Sequence, residues 1–245
     1  MENNDPQGVP LIDANAAAKR LVAGMSPFCK IWMGSHDPII AVAGSIRRRK
    51  PFVKDIEIVC VPAWKEQGDP SDLFGTARFS TNTLYRDWAV PAQRDGFIRW
   101  IKPGTSDLVD WELKPEGKYW RGLLPSLRLC GGHFPDQPCK VDIFIATPEN
   151  FGLQYLLRTG SAEFSKEIVT HALRVGFKVE GGKLWDSRLR NRVTKHGNLV
   201  AIAEHTEVET PREADVFRAL NLAWVEPCDR TGAGAVRSGW KGTPA

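Results

Sequence analysis

The 245-residue sequence contains no run of 18 apolar residues, so no stretch of it reads as a membrane-spanning helix. The start of this sequence does not read as a basic, apolar leader. The first ten residues, MENNDPQGVP, are polar and acidic, unlike a signal or transit peptide, and a cytoplasmic protein is expected. There is no internal repeat. No even, regularly spaced cysteine set is present either: the five cysteines, Cys29, Cys60, Cys130, Cys139 and Cys228, argue for free thiols in a reducing compartment. Cys130, His133 and Cys139 offer only three ligands at a spacing unlike the usual zinc hooks, and they leave metal binding there open. A strong charge excess is lacking too. The net charge of +4 permits a polyanionic partner without demanding one.

The remaining composition, 42% hydrophobic and 25% charged, is that of a globular chain able to bury a core in one large or two small domains. The basic residues are clustered, at Arg47-Arg48-Arg49-Lys50 and at Arg188, Arg190, Arg192 and Lys195. The second cluster reads as a basic hairpin that could follow a phosphate backbone, or as a solvated strand face. Among the nine tryptophans, Trp100, Trp111 and Trp120 are expected in a core rather than on a base-stacking surface.

Periodicity predicts a loose tail over 1–10 and a helix over 11–25, with Asp13 as its N-cap. Strands follow at 39–43 and 55–61, with a turn at Gly44-Ser45. Residues 62–118, punctuated by Pro62, Pro70, Pro91 and Pro103, form an insert of uncertain structure. It holds a short helix near 83–90 and candidate strands at 97–101 and 108–113. Residues 117–128 read as a loop leading into another strand, and VDIFIA (141–146) as a buried strand. A helix capped by Gly176 follows, then a hairpin turning at Gly181-Gly182, and a second turning at His196-Gly197-Asn198. Thr210-Pro211-Arg212-Glu213 reads as a capping box opening a helix through Leu220, and the end of the chain as a loose tail.

Two residues apart on a strand share a face. Asp55 and Glu57 therefore point the same way, about 7 Å apart, while Ile56 and Ile58 point the other. Two such charges repel unless a cation lies between them. Asp142 is a third carboxylate inside an apolar strand. One acid in a strand is usually a solvated accident; three, placed after Gly-Ser and a basic run, suggest phosphoryl-transfer chemistry. That reaction needs charge stabilised on the entering and leaving oxygens, which two hard cations held by carboxylates supply. Gly44 would let backbone approach a triphosphate, Ser45 would donate to it, and the arginines would meet its non-bridging oxygens.

The pattern Gly-Ser, nine residues, Asp-Ile-Glu, and later Val-Asp-Ile is similar to that of the nucleotidyltransferase superfamily. GSIRR (44–48) resembles the GS-x-RR segment of DNA polymerase family X, the beta-like group. Residues 140–179 resemble that group's third-aspartate strand, Thr-Gly-Ser turn and following helix, and 210–230 its C-terminal helix and exit. The resemblance covers roughly 14–61 and 119–230. It implies an α+β fold: a polymerase beta-like palm over 11–150, with a mixed sheet and flanking helices, then a small α+β thumb over 151–230, with a flexible tail over 231–245. It implies that Asp55, Glu57 and Asp142 hold two Mg²⁺ or Mn²⁺ ions, with Lys140 beside Asp142. Gly44, Ser45, Arg48, Thr159, Gly160 and Ser161 would bind the nucleotide. Lys166, Arg188, Arg190, Arg192 and Lys195 would face DNA.

The implied activity is addition of a nucleoside monophosphate from an NTP or dNTP to a primer 3′-hydroxyl, in gap filling during DNA repair, by a monomer acting on a primer–template or gapped duplex. The alternatives are a template-independent nucleotidyltransferase acting on RNA, protein or a small molecule, and a non-catalytic nucleic-acid-binding module. The sequence departs from the group at three places. Glu57 stands for aspartate. Leu157-Arg158 stand where an aromatic wall aids sugar selection. Ser165 replaces an asparagine that reads the base edge. The stretch before the first strand is too short for a lyase domain and helix-hairpin-helix fingers, so palm and thumb alone are expected.

Overall fold

The computed structural model describes residues 8–68, 78–105, 110, 112–130, 136–193, 199–203 and 205–243, with backbone alone at 67–68, 78–79, 129–130, 189–193 and 199–203. The chain divides into two compact units, 1–147 and 148–245, and the fold is α+β.

In the first unit, β1 (Val9–Pro10) pairs with β3 (Phe52–Val53) on either side of α1 (Leu11–Met25), β2 (Ile40–Val42) and the helical turn α2 (Gly44–Arg47). Pro10, not Asp13, occupies the N-cap of α1, and Asp13 lies in its first turn, where its charge suits the helix dipole. Ala14, Ala17, Ala18, Leu21 and Met25 form the buried stripe of α1. The three alanines among them let the helix lie close to the sheet. Val9 is buried, so the expected loose tail is anchored at its end.

The central sheet has the order β2-β4-β9-β8-β7, built from β4 (Asp55–Cys60), β9 (Cys139–Ile145), β8 (Tyr119–Leu124) and β7 (Arg99–Ile101). β4 and β9 run parallel and the other pairs antiparallel, so the sheet is mixed. The segment read as a loop into a strand is largely β8. Its residues alternate inward and outward: Trp120, Gly122 and Leu124 are buried, while Tyr119, Arg121 and Leu123 are half-buried. The inner face carries Ile56, Ile58, Val141, Ile143, Trp100 and Trp120, all essentially without exposure. Each aliphatic side chain among them contributes roughly 1.5–3 kcal/mol of burial. Trp88, Trp100 and Trp120 meet edge-on, with centroids 6.1 and 6.2 Å apart. Trp111 lies outside the described residues.

The insert becomes part of this body. It supplies the hairpin β5 (Trp64–Gly68)–β6 (Arg78–Asn82). A π-helical turn over Tyr85–Ala89 and α3 (Val90–Arg94) follow, and β7 closes the sheet edge. Of the expected strand over 108–113, Asp110 bridges Ile101, and residues 106–109 and 111 lie outside the described set.

The second unit begins with α4 (Phe151–Thr159) and α5 (Ala162–Arg174). A three-stranded sheet follows, ordered β10 (Phe177–Glu180), β11 (Lys183–Asp186) and β14 (Thr206–Val208). β12 (Leu189–Val193) pairs with β13 (Leu199–Ala203), and α6 (Glu213–Ala219) packs behind. Gly181 and Gly182 have φ of +61° and +81°, the pair of positive values a two-residue I′ hairpin needs. The N-cap of α6 is Arg212 rather than Thr210, and its backbone N–H donates to the Asp215 carboxylate at 2.9 Å.

The end of the chain also differs from the expected loose tail. Arg230 is fully buried, ion-paired to Glu213 and set over the rings of Phe217 and Trp224. Leu222 bridges Ser238, and Trp240 packs on the core formed by Leu153, Phe164, Ile168 and Phe217. The glycines and arginines suggest looseness, but Ala235, Val236 and Trp240 pack on the core as anchors.

Gly152, at the start of α4, faces the 210–212 backbone so closely that a Cβ there would lie 2.1 Å from the Arg212 carbonyl carbon and 2.6 Å from the Thr210 oxygen. Its N–H also donates to the Thr210 carbonyl at 2.8 Å. Backbone cannot rotate away as a side chain can. Gly152→Ala is therefore expected to destabilise the second unit by about 2–3 kcal/mol, a typical cost of overpacking. Urea unfolding of the full chain reads this as an earlier transition; an unchanged midpoint would show the contact to be soft.

Candidate active site

The site is built on the outer face of the first unit's sheet. β4 places Asp55 and Glu57 there, and the β4–β9 register sets Glu57 opposite Asp142 and Asp55 opposite Lys140. Opposed residues in neighbouring strands share a face, so the three carboxylates and Lys140 lie on one side of the sheet. The β8–β9 register adds Arg121 opposite Asp142. Val42 leads through Ala43 into α2, whose N–H groups and Ser45 begin just beyond the strand end, and the Ala43 N–H donates to the Glu57 carbonyl at 2.8 Å.

Gly44 has φ +63°. A Cβ on it would lie 1.9 Å from Glu57 Oε2, so the glycine leaves the space that this carboxylate fills. Ser45 Oγ is buried without a hydrogen-bond partner among the described residues. Leaving a buried hydroxyl unpaired costs about 1–3 kcal/mol, which fits a donor kept for a ligand. Arg48 closes the helical turn, its N–H donating to the Gly44 carbonyl at 3.1 Å.

Asp142 is 4% exposed and already richly bonded. Tyr119 donates its hydroxyl to Oδ1 at 2.7 Å, and Arg121 donates Nε–H to Oδ1 at 2.8 Å and Nη2–H to Oδ2 at 2.9 Å. Tyr119 in turn stacks on Phe144, centroids 5.0 Å apart and planes 10° from parallel. The hydrogen bond to Asp142 holds the Arg121 guanidinium firmly protonated. Burial, and then the bond to Asp142, push the Tyr119 phenol above its usual range. Asp55 is raised above the ordinary carboxylate value, first by burial and next by the Asp142 charge, while Arg121, Lys140 and Arg48 pull it back.

Three oxygen-bearing acids on one face, one of them electrostatically strained by another, are the right donor type for a hard divalent cation. By donor chemistry and shared face the residues fit such an ion, and Asp55, Glu57 and Asp142 would hold it. Among the described residues, however, no three His, Cys, Asp or Glu side chains are gathered closely enough to enclose an ion. Asp142 is spent on Arg121 and Tyr119 instead. These two residues escaped sequence reasoning. The available signal was their i, i+2 placement in Tyr-Trp-Arg-Gly-Leu-Leu, which marks a strand with one polar face.

The other expected site residues lie in the second unit. Thr159 ends α4 fully buried, and Gly160 and Ser161 link it to α5, where Ser161 caps by accepting from the Phe164 N–H at 3.2 Å. Ser165 donates its hydroxyl to the Leu157 carbonyl at 2.7 Å. Lys166 is exposed on α5. The Arg188 guanidinium forks onto Asp186 at 3.0 and 2.7 Å and lies over the Phe177 ring, so much of its charge is already matched. The backbones of Arg190 and Arg192 sit in β12, opposite Ile202 and Val200. Lys195 lies outside the described residues, as does His133, while Cys139 is buried on β9.

Residues 154–231 match the family model described as the DNA polymerase beta thumb. That segment is similar to the thumb of a DNA polymerase of the beta type. The chain is also similar to DNA polymerase lambda of Rattus norvegicus, with 25% identity over 194 residues that cover 78% of this chain and 28% of that protein. The chain thus spans little more than a quarter of the length of this family X relative. The thumb match falls within the second unit. No helix among the described residues is long and apolar enough to cross a membrane.

Proposed function

We propose that the chain is a compact family X-like polymerase that transfers a nucleoside monophosphate from an NTP or dNTP to a primer 3′-hydroxyl, with gap filling in DNA repair as its setting. The observation that carries this is the single sheet face bearing Asp55, Glu57 and Asp142 beside the Gly44-Ser45 turn. The primer 3′-hydroxyl loses its proton to solvent as its oxygen forms a bond to the α-phosphorus, the bond from that phosphorus to the α–β bridging oxygen breaks, and pyrophosphate leaves. Two Mg²⁺ or Mn²⁺ ions, bound to these carboxylates, would supply charge stabilisation for the entering and leaving oxygens. Ser45 donates its unspent hydroxyl to a non-bridging phosphate oxygen. Gly44, lacking a side chain, lets the backbone come near the triphosphate, and Arg48 adds positive charge. Thr159, Gly160 and Ser161 serve the nucleotide sugar and base. Lys166, Arg188, Arg190, Arg192 and Lys195 serve the DNA backbone.

Ser165 favours a second reading. Its hydroxyl is committed to the Leu157 carbonyl and has no donor left for the edge of an incoming base, which suits a template-independent nucleotidyltransferase. Extension of gapped, blunt and single-stranded DNA by the full chain, with dNTPs and rNTPs in parallel, separates the two. Template-directed filling of the gap is the expected result. Untemplated addition to single strands alone would replace the first reading by the second, and no EDTA-sensitive incorporation on any substrate would remove both.

A further inference from the structure

Arg121 is fixed to the sheet opposite Asp142, and its fork reaches the carboxylate in a side-by-side, bidentate manner at 2.8 and 2.9 Å. Tyr119 adds a third donor at 2.7 Å. A carboxylate offers about four lone-pair sites, so three strong donors take up most of them. A hard cation binds through those same lone pairs. The guanidinium also supplies locally what a cation would supply, a positive charge among three acids, and Asp55 feels it as well. Arg121 is only 27% exposed at its side chain and Asp142 5%, so water screens their attraction weakly.

We propose that Arg121, assisted by Tyr119, competes with a divalent cation for the Asp142 carboxylate and so sets the cation concentration at which the catalytic set assembles. This rests on the nucleotidyl-transfer reading above and adds to it a residue that controls access to the third ligand. Arg121 is a positioning residue in this scheme: it acts through Asp142. Its fork suits the task better than a lysine would, because two parallel N–H groups lock the plane of the carboxylate. Removing the fork frees Asp142 for the ion but leaves three acids facing one another when no cation is supplied.

The test is Mn²⁺ binding to the full chain by titration calorimetry, paired with thermal melts in EDTA and in Mn²⁺. Arg121→Gln is expected to tighten Mn²⁺ binding at least tenfold, to lower the melting temperature in EDTA and to enlarge the rise produced by Mn²⁺. Tyr119→Phe is expected to tighten binding two- to threefold. Adding Asp142→Asn to Arg121→Gln is expected to abolish the gain. Arg121→Lys, which keeps the charge but loses the fork, guards against a folding defect and should fall between wild type and Arg121→Gln. If wild type binds Mn²⁺ in a manner abolished by Asp55→Asn, while Arg121→Gln and Arg121→Lys bind no tighter, the competition is wrong and the catalytic reading stands. If wild type and both variants all fail to bind millimolar Mn²⁺, competition and cation site fall together.

Discussion

Asp142→Ala should lower primer extension at least about a thousandfold, equivalent to roughly 4 kcal/mol of transition-state stabilisation, and leave the first unit folded. The two halves of that expectation have different causes. In the proposed reaction activity would fall because Asp142 is the one acid on β9, and without it only Asp55 and Glu57 on β4 would remain to face the phosphate. Folding survives because the inner face of β9, carrying Val141 and Ile143, is untouched. The substitution strands two polar partners, but Arg121 is partly solvated and the Tyr119 hydroxyl lies on the same outer face. A loss of about 1–2 kcal/mol in stability is expected. Single-turnover extension of a gapped duplex measures the first effect and a thermal melt the second. Extension at the wild-type rate by a folded Asp142→Ala protein would show that the chemistry resides elsewhere.

Asp142 also shows how far the sequence could be read. Carboxylates embedded in apolar strands stand out because they violate the strand pattern, so Asp55, Glu57 and Asp142 are visible without knowing which strands pair. Their shared face follows from period-two geometry plus parallel pairing of β4 and β9. Tyr119 and Arg121 break no pattern. Their meaning depends on the register of β8 against β9, strands joined by residues 125–138, and register across such a connection is a tertiary fact. The helix over 11–25 and the Gly181-Gly182 hairpin were legible for the opposite reason: periodicity and turn chemistry settle them locally. The end of the chain hides its order because Gly, Arg and Ser dominate its composition, while that order comes from a few residues, Arg230 on Glu213 and Trp240 on the core. Arg188 shows a related limit. In the sequence it is one of a row of cations, but in the fold it is matched by Asp186 two residues earlier.

Gly44→Ala should cost about a hundredfold in extension, far more than its effect on folding suggests. Alanine at φ +63° bears a penalty of roughly 1–2 kcal/mol for the left-handed backbone. The larger consequence is steric. The new methyl carbon would fall 1.9 Å from Glu57 Oε2 and 2.8 Å from its Cδ, so the carboxylate must swing away while the backbone of β4 stays in place. Glu57 carries one more methylene than aspartate and depends on this glycine for somewhere to put it. That dependence makes a prediction beyond the single variant. Glu57→Gln keeps the shape and removes the charge, and it too should cripple extension while the protein stays folded. Once Glu57 is glutamine, adding Gly44→Ala should cost little further activity, because both changes act through the same carboxylate and their effects cannot add. Full additivity in that double-mutant cycle would assign Gly44 a separate task in admitting the triphosphate. Near-normal extension by Glu57→Gln itself would leave Asp55 as the one essential acid of β4.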